Sequence, residues 1–353
     1  MPLPKDHPYY RPQADEPFET DPNAPPHTGK RTDQQVGEFD LDQALEGLGH
    51  KLEVPDDHRS GFVNIVGRPN VGKSTLLNAL VGERMSIITA KPQTTRHRIL
   101  ALLSGDDFQA VFSDTPGLIE DPGYKMQERM NAFVASAFED ADVILFVVVP
   151  QEEYEEEHGL IQRLAQHESP VCVVVNKLDT VTEEQAQAVA KTYRDRIDTP
   201  HSAVVSALNG TGTDDLREWI VSSLPTGPAY YPKEQLTDRP ERFFVTEIIR
   251  EQILEHYYQE IPYAVEPVVE KFEETQTSQG RPLVRISATI YVERDSQKNI
   301  LIGKGGQDIK AVGTAARGRL EAFLGKKVFL ETRIKVRPGW RNDEKQLKRF
   351  GYE

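Results

Sequence analysis

The sequence predicts a doubly wound α/β domain with a mostly parallel sheet, followed by a smaller α+β domain, and three observations carry that prediction. From Gly61 onward, apolar runs alternate with helical patterns. One strand-to-helix junction among them carries a phosphate-loop motif. Beyond a stretch interrupted by Pro and Gly, the pattern changes to α-β-β-α-α-β. At 353 residues the chain is long for a single core, which favours two domains over one.

The opening, MPLPKDHPYYRPQADEPFETDPNAPPHTGK, is dense in Pro and acidic residues and has no sustained apolar period, so residues 1–57 are expected to be a disordered extension. Within it, FDLDQALEGLGHKL would place Phe39, Leu41, Ala44, Leu45 and Leu48 roughly on one side of a short helix. The α/β domain, 58–225, runs through FVNIVG, KSTLLNALVG, FQAVFSD, VILFVVVP, VCVVVNKLD and HSAVVSA. Continuous apolar runs bounded by turn or charged residues mark strands covered on both faces, and the intervening segments are long enough for crossover helices. TDDLREWIVSSLP closes the pattern, with Leu216, Trp219, Ile220 and Leu224 at helical spacing. Pro225, Gly227, Pro228 and Pro232 then place a linker at 226–239.

In 240–353, RFFVTEIIREQILEHYY reads as a helix, YAVEPVVEKFEET and PLVRISATIYVER as strands, and two helices straddle GKGG. The last strand, KKVFLETRIKVRP, has Val328, Leu330, Thr332, Ile334 and Val336 on one face. Phe329, Glu331, Arg333, Lys335 and Arg337 take the other.

Composition removes several function classes. With 38% hydrophobic and 28% charged residues the chain is too rich in core formers to be disordered throughout. The longest apolar run, Val143 to Val149, is far short of the roughly 20 residues of a membrane-spanning helix. Pro2, Pro4, Asp6 and Pro8 occupy the place where a secretory signal needs a basic start and an apolar stretch, so a cytoplasmic protein is expected. The single cysteine, Cys172, makes no intramolecular disulfide or thiolate cluster and reads as a core filler. The net charge of −14 argues against nucleic acid only as an average. Residues 1–60 hold 6 basic and 13 acidic residues, whereas 298–349 hold 14 and 5.

Gly67-Arg68-Pro69-Asn70-Val71-Gly72-Lys73-Ser74, continuing into Thr75, fits G-x-x-x-x-G-K-[ST] between a strand and a helix. In such a loop, glycines let backbone N–H groups curl around phosphates at the positive end of a helix. Lys73 supplies a cation to the outer phosphates, and Ser74 ligates Mg²⁺. Asp114-Thr115-Pro116-Gly117 follows the strand FQAVFSD: the carboxylate reaches Mg²⁺ through a water, and Gly117 offers its N–H to the γ-phosphate. Alone, DTPG would be an ordinary turn. Asn176-Lys177-Leu178-Asp179 ends the strand VCVVVNKLD, at the carboxyl edge where open α/β sheets bind ligands. A carboxylate there accepts from N1–H and the exocyclic amine of guanine, while adenine would leave it unpaired. Ser206-Ala207-Leu208 follows HSAVVSA and caps the base, completing a GTP site. In ITAKPQTTRHRI, Thr94 or Thr95 would meet Mg²⁺ and the γ-phosphate in a mobile segment, and the sequence does not choose between them.

GRPNVGKS, QTTRHRI, DTPG, NKLD and SAL, in order and followed by IGKGGQDIKAVGTAAR, resemble the Era family of bacterial ribosome-assembly GTPases from about Gly61 to Arg337. The resemblance implies a Ras-like P-loop GTPase domain joined to a type II KH domain that binds the 3′ end of small-subunit ribosomal RNA, with GTP governing RNA and ribosome binding. It places the phosphate loop on Gly67 to Ser74, the switch threonines on Thr94 and Thr95, the guanine readers on Asn176, Lys177 and Asp179, and the RNA loop on Gly303 to Gly306. Nothing in it extends to residues 1–55. Leu118 stands where Ras-type enzymes have a water-orienting Gln, which implies slow intrinsic hydrolysis unless another group positions the water. Asn70 stands where related GTPases recruit a monovalent cation such as K⁺; a loop-bracing hydrogen bond is the alternative use of that side chain.

Gly303-Lys304-Gly305-Gly306 would clamp about four nucleotides in a KH domain. Lys310, Arg317, Arg333, Lys335 and Arg337 offer further charge to the strand. The expected partners are small-subunit ribosomal RNA and the small ribosomal subunit, with no DNA, and a monomer is expected. Two other readings stand beside this one. One is a GTP-responsive RNA-binding switch with little turnover, which Leu118 favours. The other is a membrane-surface signalling GTPase, peripheral to the inner membrane, whose basic tail meets anionic lipid.

Overall fold

The computed structural model describes residues 57–352 apart from 153 and 155–158. The proposed N-terminal extension, up to residue 56, and its short candidate helix lie outside the described residues. Strands β1 (Arg59–Val66), β2 (Ile99–Ser104), β3 (Phe108–Asp114), β4 (Val143–Val148), β5 (Val171–Val175) and β6 (His201–Val204) form one sheet in the order β2-β3-β1-β4-β5-β6. Every pairing is parallel except β2 with β3, where Ile99 faces Asp114. β2 is a strand that the sequence reading does not single out: ILALLS lies at the end of the switch segment, and no strand is assigned to it there.

Helices α1 (Lys73–Val81), α2 (Lys125–Glu139), α3 (Gly159–Ala165), α4 (Glu183–Ile197) and α5 (Thr213–Ser223) cover the sheet on both sides. β4 shows why its run is continuously apolar. Val143, Leu145 and Val147 pack with Leu76, Leu80 and Ile220, while Ile144, Phe146 and Val148 pack with Phe138, Leu164 and Tyr193. Cys172 lies in the first of these cores, where burial pushes its thiol up to about 12, consistent with a packing role.

The second region contains α6 (Glu241–His256), α7 (Ile261–Ala264), β7 (Glu266–Gln276), β8 (Pro282–Val292), α8 (Asp295–Ile302), α9 (Gln307–Leu324), β9 (Lys327–Val336) and α10 (Glu344–Arg349). Its sheet has the order β7-β8-β9, antiparallel between β7 and β8 and parallel between β8 and β9. Val245 and Ile249 of α6 and Val312, Ala316 and Leu320 of α9 pack on Val284, Ile286, Ala288 and Ile290 of β8. The stretch after β9 reads as a basic tail in sequence. In the structure it folds back, with Trp340, Leu347, Phe350 and Tyr352 packed against Met126 and Met130 of α2.

Candidate functional site: a nucleotide cleft joined to a nucleic-acid interface

β1 ends at Val66 and the chain turns through Gly67 to Gly72 into α1. Two glycines are required here. A Cβ on Gly67 (φ 151°) would lie 2.4 Å from the Val147 carbonyl oxygen, and one on Gly72 (φ 94°) would lie 2.3 Å from Asn176 Nδ2. Lys73 is buried beneath the loop and donates to the carbonyls of Gly67 (3.0 Å) and Arg68 (2.9 Å). Burial pushes its ammonium down to about 8, with the Asp114 carboxylate partly opposing the shift. Pro69, Asn70 and Thr75 line the adjoining cleft of about 360 Å³, together with Gly117 and Lys177. Arg68 instead lays its guanidinium 4.2 Å from the centre of the Tyr154 ring, and Val71 is fully enclosed in the core.

Ser74 donates to Asp114 Oδ2 at 2.8 Å, and its hydroxyl lies 2.9 Å from Thr95 Oγ1, which is 3.5 Å from the same carboxylate oxygen. Asp114 is fully buried and its carboxyl is raised by that burial, against hydrogen bonds from Ser74 and Thr95 and the charge of Lys73. Three oxygens therefore converge from the phosphate loop, the switch segment and the end of β3. Thr94 is not among them: its hydroxyl bonds the Lys91 carbonyl and the Thr89 hydroxyl, both at 2.6 Å. Thr115 donates to the Ile65 carbonyl (3.0 Å) and Pro116 is buried, so these two fasten the turn that brings Gly117 against Pro69. A Cβ on Gly117 would sit 2.8 Å from the Pro69 nitrogen. Leu118 lies partly buried against the Phe138 and Tyr193 core and does not line the cleft.

At the other end, Asn176 is consumed by bracing. Its Nδ2 donates to the Val71 carbonyl (2.9 Å) and its Oδ1 accepts from the Ala207 N–H (3.0 Å), tying phosphate loop to base loop. Lys177 adopts a left-handed conformation (φ 62°). Asp179 is exposed and accepts from Ser206 Oγ at 2.5 Å, while Leu208 is 76% exposed at the loop tip.

The sequence reading misses what holds the switch segment. Two of its basic residues, Lys91 and Arg96, and Arg84 just before it are bonded to the second region rather than loose in solvent. Arg84 pairs with Glu251, and Lys91 donates to the Leu254 and Tyr257 carbonyls at the end of α6. Arg96, only 1% exposed, donates to the carbonyls of Pro262 and Val265 (both 2.8 Å) and to Glu266 (3.0 Å). Tyr352 donates to the same Glu266 oxygen at 2.9 Å. His97 packs on Tyr352, with ring centroids 4.5 Å apart. Burial pushes this imidazole down to about 4, the nearby Glu247 opposing and Arg250, Arg239 and Arg96 adding to the shift.

On the second region, the turn of Gly303 to Gly306 lies between α8 and α9. Gly303 (φ 69°) is fixed by Asp308, whose Oδ2 a Cβ would meet at 2.1 Å, whereas Gly305 and Gly306 face open space. Lys304, Lys310 and Arg317 are exposed on this helical layer. Arg333 and Lys335 are not brought to it. They project from the face of β9 opposite the helices, paired with Glu331 (2.9 Å) and Glu270 (3.6 Å), because the alternate residues Leu330 and Ile334 turn toward the helices. Arg337 leaves the end of the strand, its N–H bonded to the Val292 carbonyl at 2.7 Å. The single basic surface expected from the sequence is therefore two surfaces.

Two family models match the chain: "50S ribosome-binding GTPase" over residues 62–177 and "KH domain" over residues 260–341. The GTPase Era of Carboxydothermus hydrogenoformans is 44% identical over 301 residues, covering 84% of this chain and 98% of that protein. A chloroplastic Era-like GTPase of rice, Oryza sativa, is 43% identical over 299 residues, covering 84% and 70%. Two crystal structures align with TM-scores of 0.77 and 33% identity. One, covering 84% of this chain and 99% of the other, is Era in complex with MgGDPNP and nucleotides 1506–1542 of 16S ribosomal RNA. The other, covering 83% and 99%, is a single-residue variant of Aquifex aeolicus Era bound to GDP·AlF4⁻.

Proposed function

The chain belongs to the Era family of GTPases, and from that premise we propose that it binds GTP with Mg²⁺, hydrolyses it, and binds small-subunit ribosomal RNA through its KH domain during maturation of the small ribosomal subunit. The observation that carries the reading is the convergence of Ser74, Thr95 and Asp114 beside Lys73. An all-oxygen donor set of two hydroxyls and a carboxylate suits Mg²⁺, and the ion would neutralise charge on the terminal phosphates. Ser74 and Thr95 offer hydroxyl oxygens to it and Asp114 a carboxylate. Lys73 donates to the outer phosphates in place of its present carbonyl partners, and Gly117 presents its N–H to the γ-phosphate. Asp179 reads N1–H and the exocyclic amine of guanine, held in position by Ser206, while Asn176 keeps the base loop and phosphate loop at fixed separation. The GKGG turn receives the RNA backbone where Gly305 and Gly306 leave open space, and Lys304, Lys310 and Arg317 supply charge along it.

Asn70 supports a place for K⁺. It lines the cleft in a left-handed conformation (φ 66°), and its side chain makes no hydrogen bond among the described residues, so no bracing bond occupies it. Leu118, turned into the core, supports slow hydrolysis by the isolated protein. Among the described residues no helix is long and apolar enough to cross a membrane.

The test is multiple-turnover GTP hydrolysis in K⁺ and in Na⁺ at constant ionic strength, with and without small ribosomal subunits. Turnover should be low alone, rise with subunits, and rise in K⁺ but not in the Asn70→Ala variant. Equal rates in the two salts would remove the cation from the account. No turnover under any condition would leave a GTP-responsive RNA-binding switch.

A further inference from the structure

The first peptide unit of the phosphate loop, Gly67 to Arg68, is gripped at both edges. Its carbonyl oxygen accepts from the Lys73 ammonium at 3.0 Å, and its N–H donates to the hydroxyl of Tyr154 at 2.8 Å. Tyr154 comes from the loop after β4 and is only 3% exposed. It is itself fastened to α4: its own N–H donates to the Tyr193 hydroxyl and its carbonyl accepts from Arg196, both at 2.9 Å. Its ring packs on Phe146 of β4 and edge-on against Tyr193, with centroids 5.4 and 6.1 Å away. A hydroxyl carried by a side chain that packing has already fixed is a rigid support for the group it bonds.

The two grips differ in what nucleotide does to them. When Lys73 turns to the outer phosphates it gives up the Gly67 carbonyl, and the Tyr154 bond is then the one that still holds this peptide. A peptide free to rotate there would swing the turn that follows, whose backbone N–H groups cradle the phosphates. We propose that Tyr154 is a positioning residue for nucleotide binding, its hydroxyl fixing the Gly67–Arg68 peptide so that the loop keeps one conformation while Lys73 moves from carbonyl to phosphate; the proposal rests on the reading of this cleft as a GTP site. Tyr154 touches no reacting atom in this account. Its effect therefore falls on how tightly GTP and GDP are held, not on the rate at which bound GTP is cleaved.

The experiment compares the unaltered full chain with Tyr154→Phe and Arg68→Ala. Phenylalanine keeps the ring and its packing and removes only the hydroxyl, whereas alanine keeps the Arg68 N–H and removes the guanidinium that lies on that ring. Calorimetry gives GDP affinity, and single-turnover hydrolysis gives the half-saturating GTP concentration and the rate at saturation. Tyr154→Phe should weaken GDP and raise half-saturation by about tenfold, because its loss leaves a backbone donor unpaired, while the saturated rate changes less than about twofold. Arg68→Ala should leave all three within about threefold. Nuclear magnetic resonance reads the bond itself. With isotope labels confined to glycine carbonyls and arginine nitrogens, the three Gly-Arg pairs of the chain give three signals, and the one missing from Arg68→Ala identifies residue 68. That signal alone should move upfield in Tyr154→Phe. An unmoved signal, or GDP affinity and half-saturation at the unaltered level, would overturn the role of Tyr154 and leave the GTP reading standing. A lower saturated rate at unchanged half-saturation would equally overturn it, since that is the mark of a partly misfolded protein. Should bound GTP not turn over in the unaltered chain, the GDP and GDPNP affinities decide alone. No binding of either nucleotide by the unaltered chain would overturn both readings.

Discussion

Arg96 and Glu266 meet at 3.0 Å with side chains 1% and 4% accessible, so the residue that follows Thr95 is bonded to the first residue of β7. Burial pushes the Glu266 carboxyl up, while Arg96, Arg250 and the Tyr352 hydroxyl pull it back. Removing one partner of such a pair leaves the other charge enclosed without compensation. Arg96→Ala should therefore destabilise the protein by about 3–5 kcal/mol in urea unfolding. It should also weaken GTP binding, because the backbone that carries Thr95 loses its anchor. A loss below about 1 kcal/mol would show that the pair contributes little to holding the switch.

The two adjacent threonines should separate cleanly. Thr95→Ala removes an oxygen from the Ser74 and Asp114 cluster, whereas Thr94→Ala removes only bonds internal to the segment. Titrating Mg²⁺ against bound GTP should show an Mg²⁺ requirement raised by about tenfold or more in the first variant and nearly unchanged in the second, the worth of one charge-assisted contact. Equal effects would mean that the switch rearranges when nucleotide binds.

Lys73 gives a pH signature. In the free protein its ammonium is pushed down to about 8, and phosphates beside it would restore the proton. As pH rises through 8 the free protein loses a proton that the GTP complex retains. GTP affinity should hence be flat below about pH 8 and fall by up to about tenfold per pH unit above it. Calorimetry in two buffers of different ionisation heat should detect proton uptake on binding at about pH 9 and none at about pH 7. Uptake at neither pH would mean that Lys73 stays charged without nucleotide.

Asp179→Asn should weaken GTP binding by several kcal/mol and relax the preference toward xanthosine triphosphate, whose C2 carbonyl accepts from an amide. The Ser206 bond to Asp179 fixes that carboxylate in place, so Ser206→Ala should show a smaller loss of the same kind. Unchanged GTP affinity of the Asp179 variant by calorimetry would remove the residue from base reading.

Gly305 and Gly306 face open space, so Gly305→Asp with Gly306→Asp should block an RNA backbone by bulk and charge while leaving GTP affinity intact. Arg333 and Lys335 lie on the opposite sheet face and are already paired with acids, so Ala at both should change RNA affinity less than the double Asp. Fluorescence anisotropy with an oligonucleotide copying the 3′ end of small-subunit ribosomal RNA reads both. Full-strength binding by the double-Asp protein would move the RNA site away from the turn.

Motif-bearing residues were legible because their chemistry is local: GRPNVGKS needs only its own strand, turn and helix to be recognised. The separation of Arg333 and Lys335 from GKGG was also present in the sequence. The apolar alternate residues of that strand must be the ones the helices cover, which puts the basic ones behind. β2 carried an apolar signal as well, in ILALLS, overshadowed by the polar switch beside it. Arg96 and His97 were different. Within RHRI nothing marks them as buried, since an enclosed guanidinium is stable only beside acceptors, and those of Arg96 lie 166 to 170 residues further on. Only the fold supplies that knowledge.

The bond from Arg96 to Glu266 spans 170 residues and the one from Tyr352 to Glu266 another 86, which bears on the order in which a nascent chain matures. The six-stranded sheet and its phosphate loop are complete once α5 has emerged from the translating ribosome. Tyr352 emerges much later. There is thus an interval during synthesis when the nucleotide cleft exists with its switch untethered, able to meet GTP before the RNA-binding half has been made.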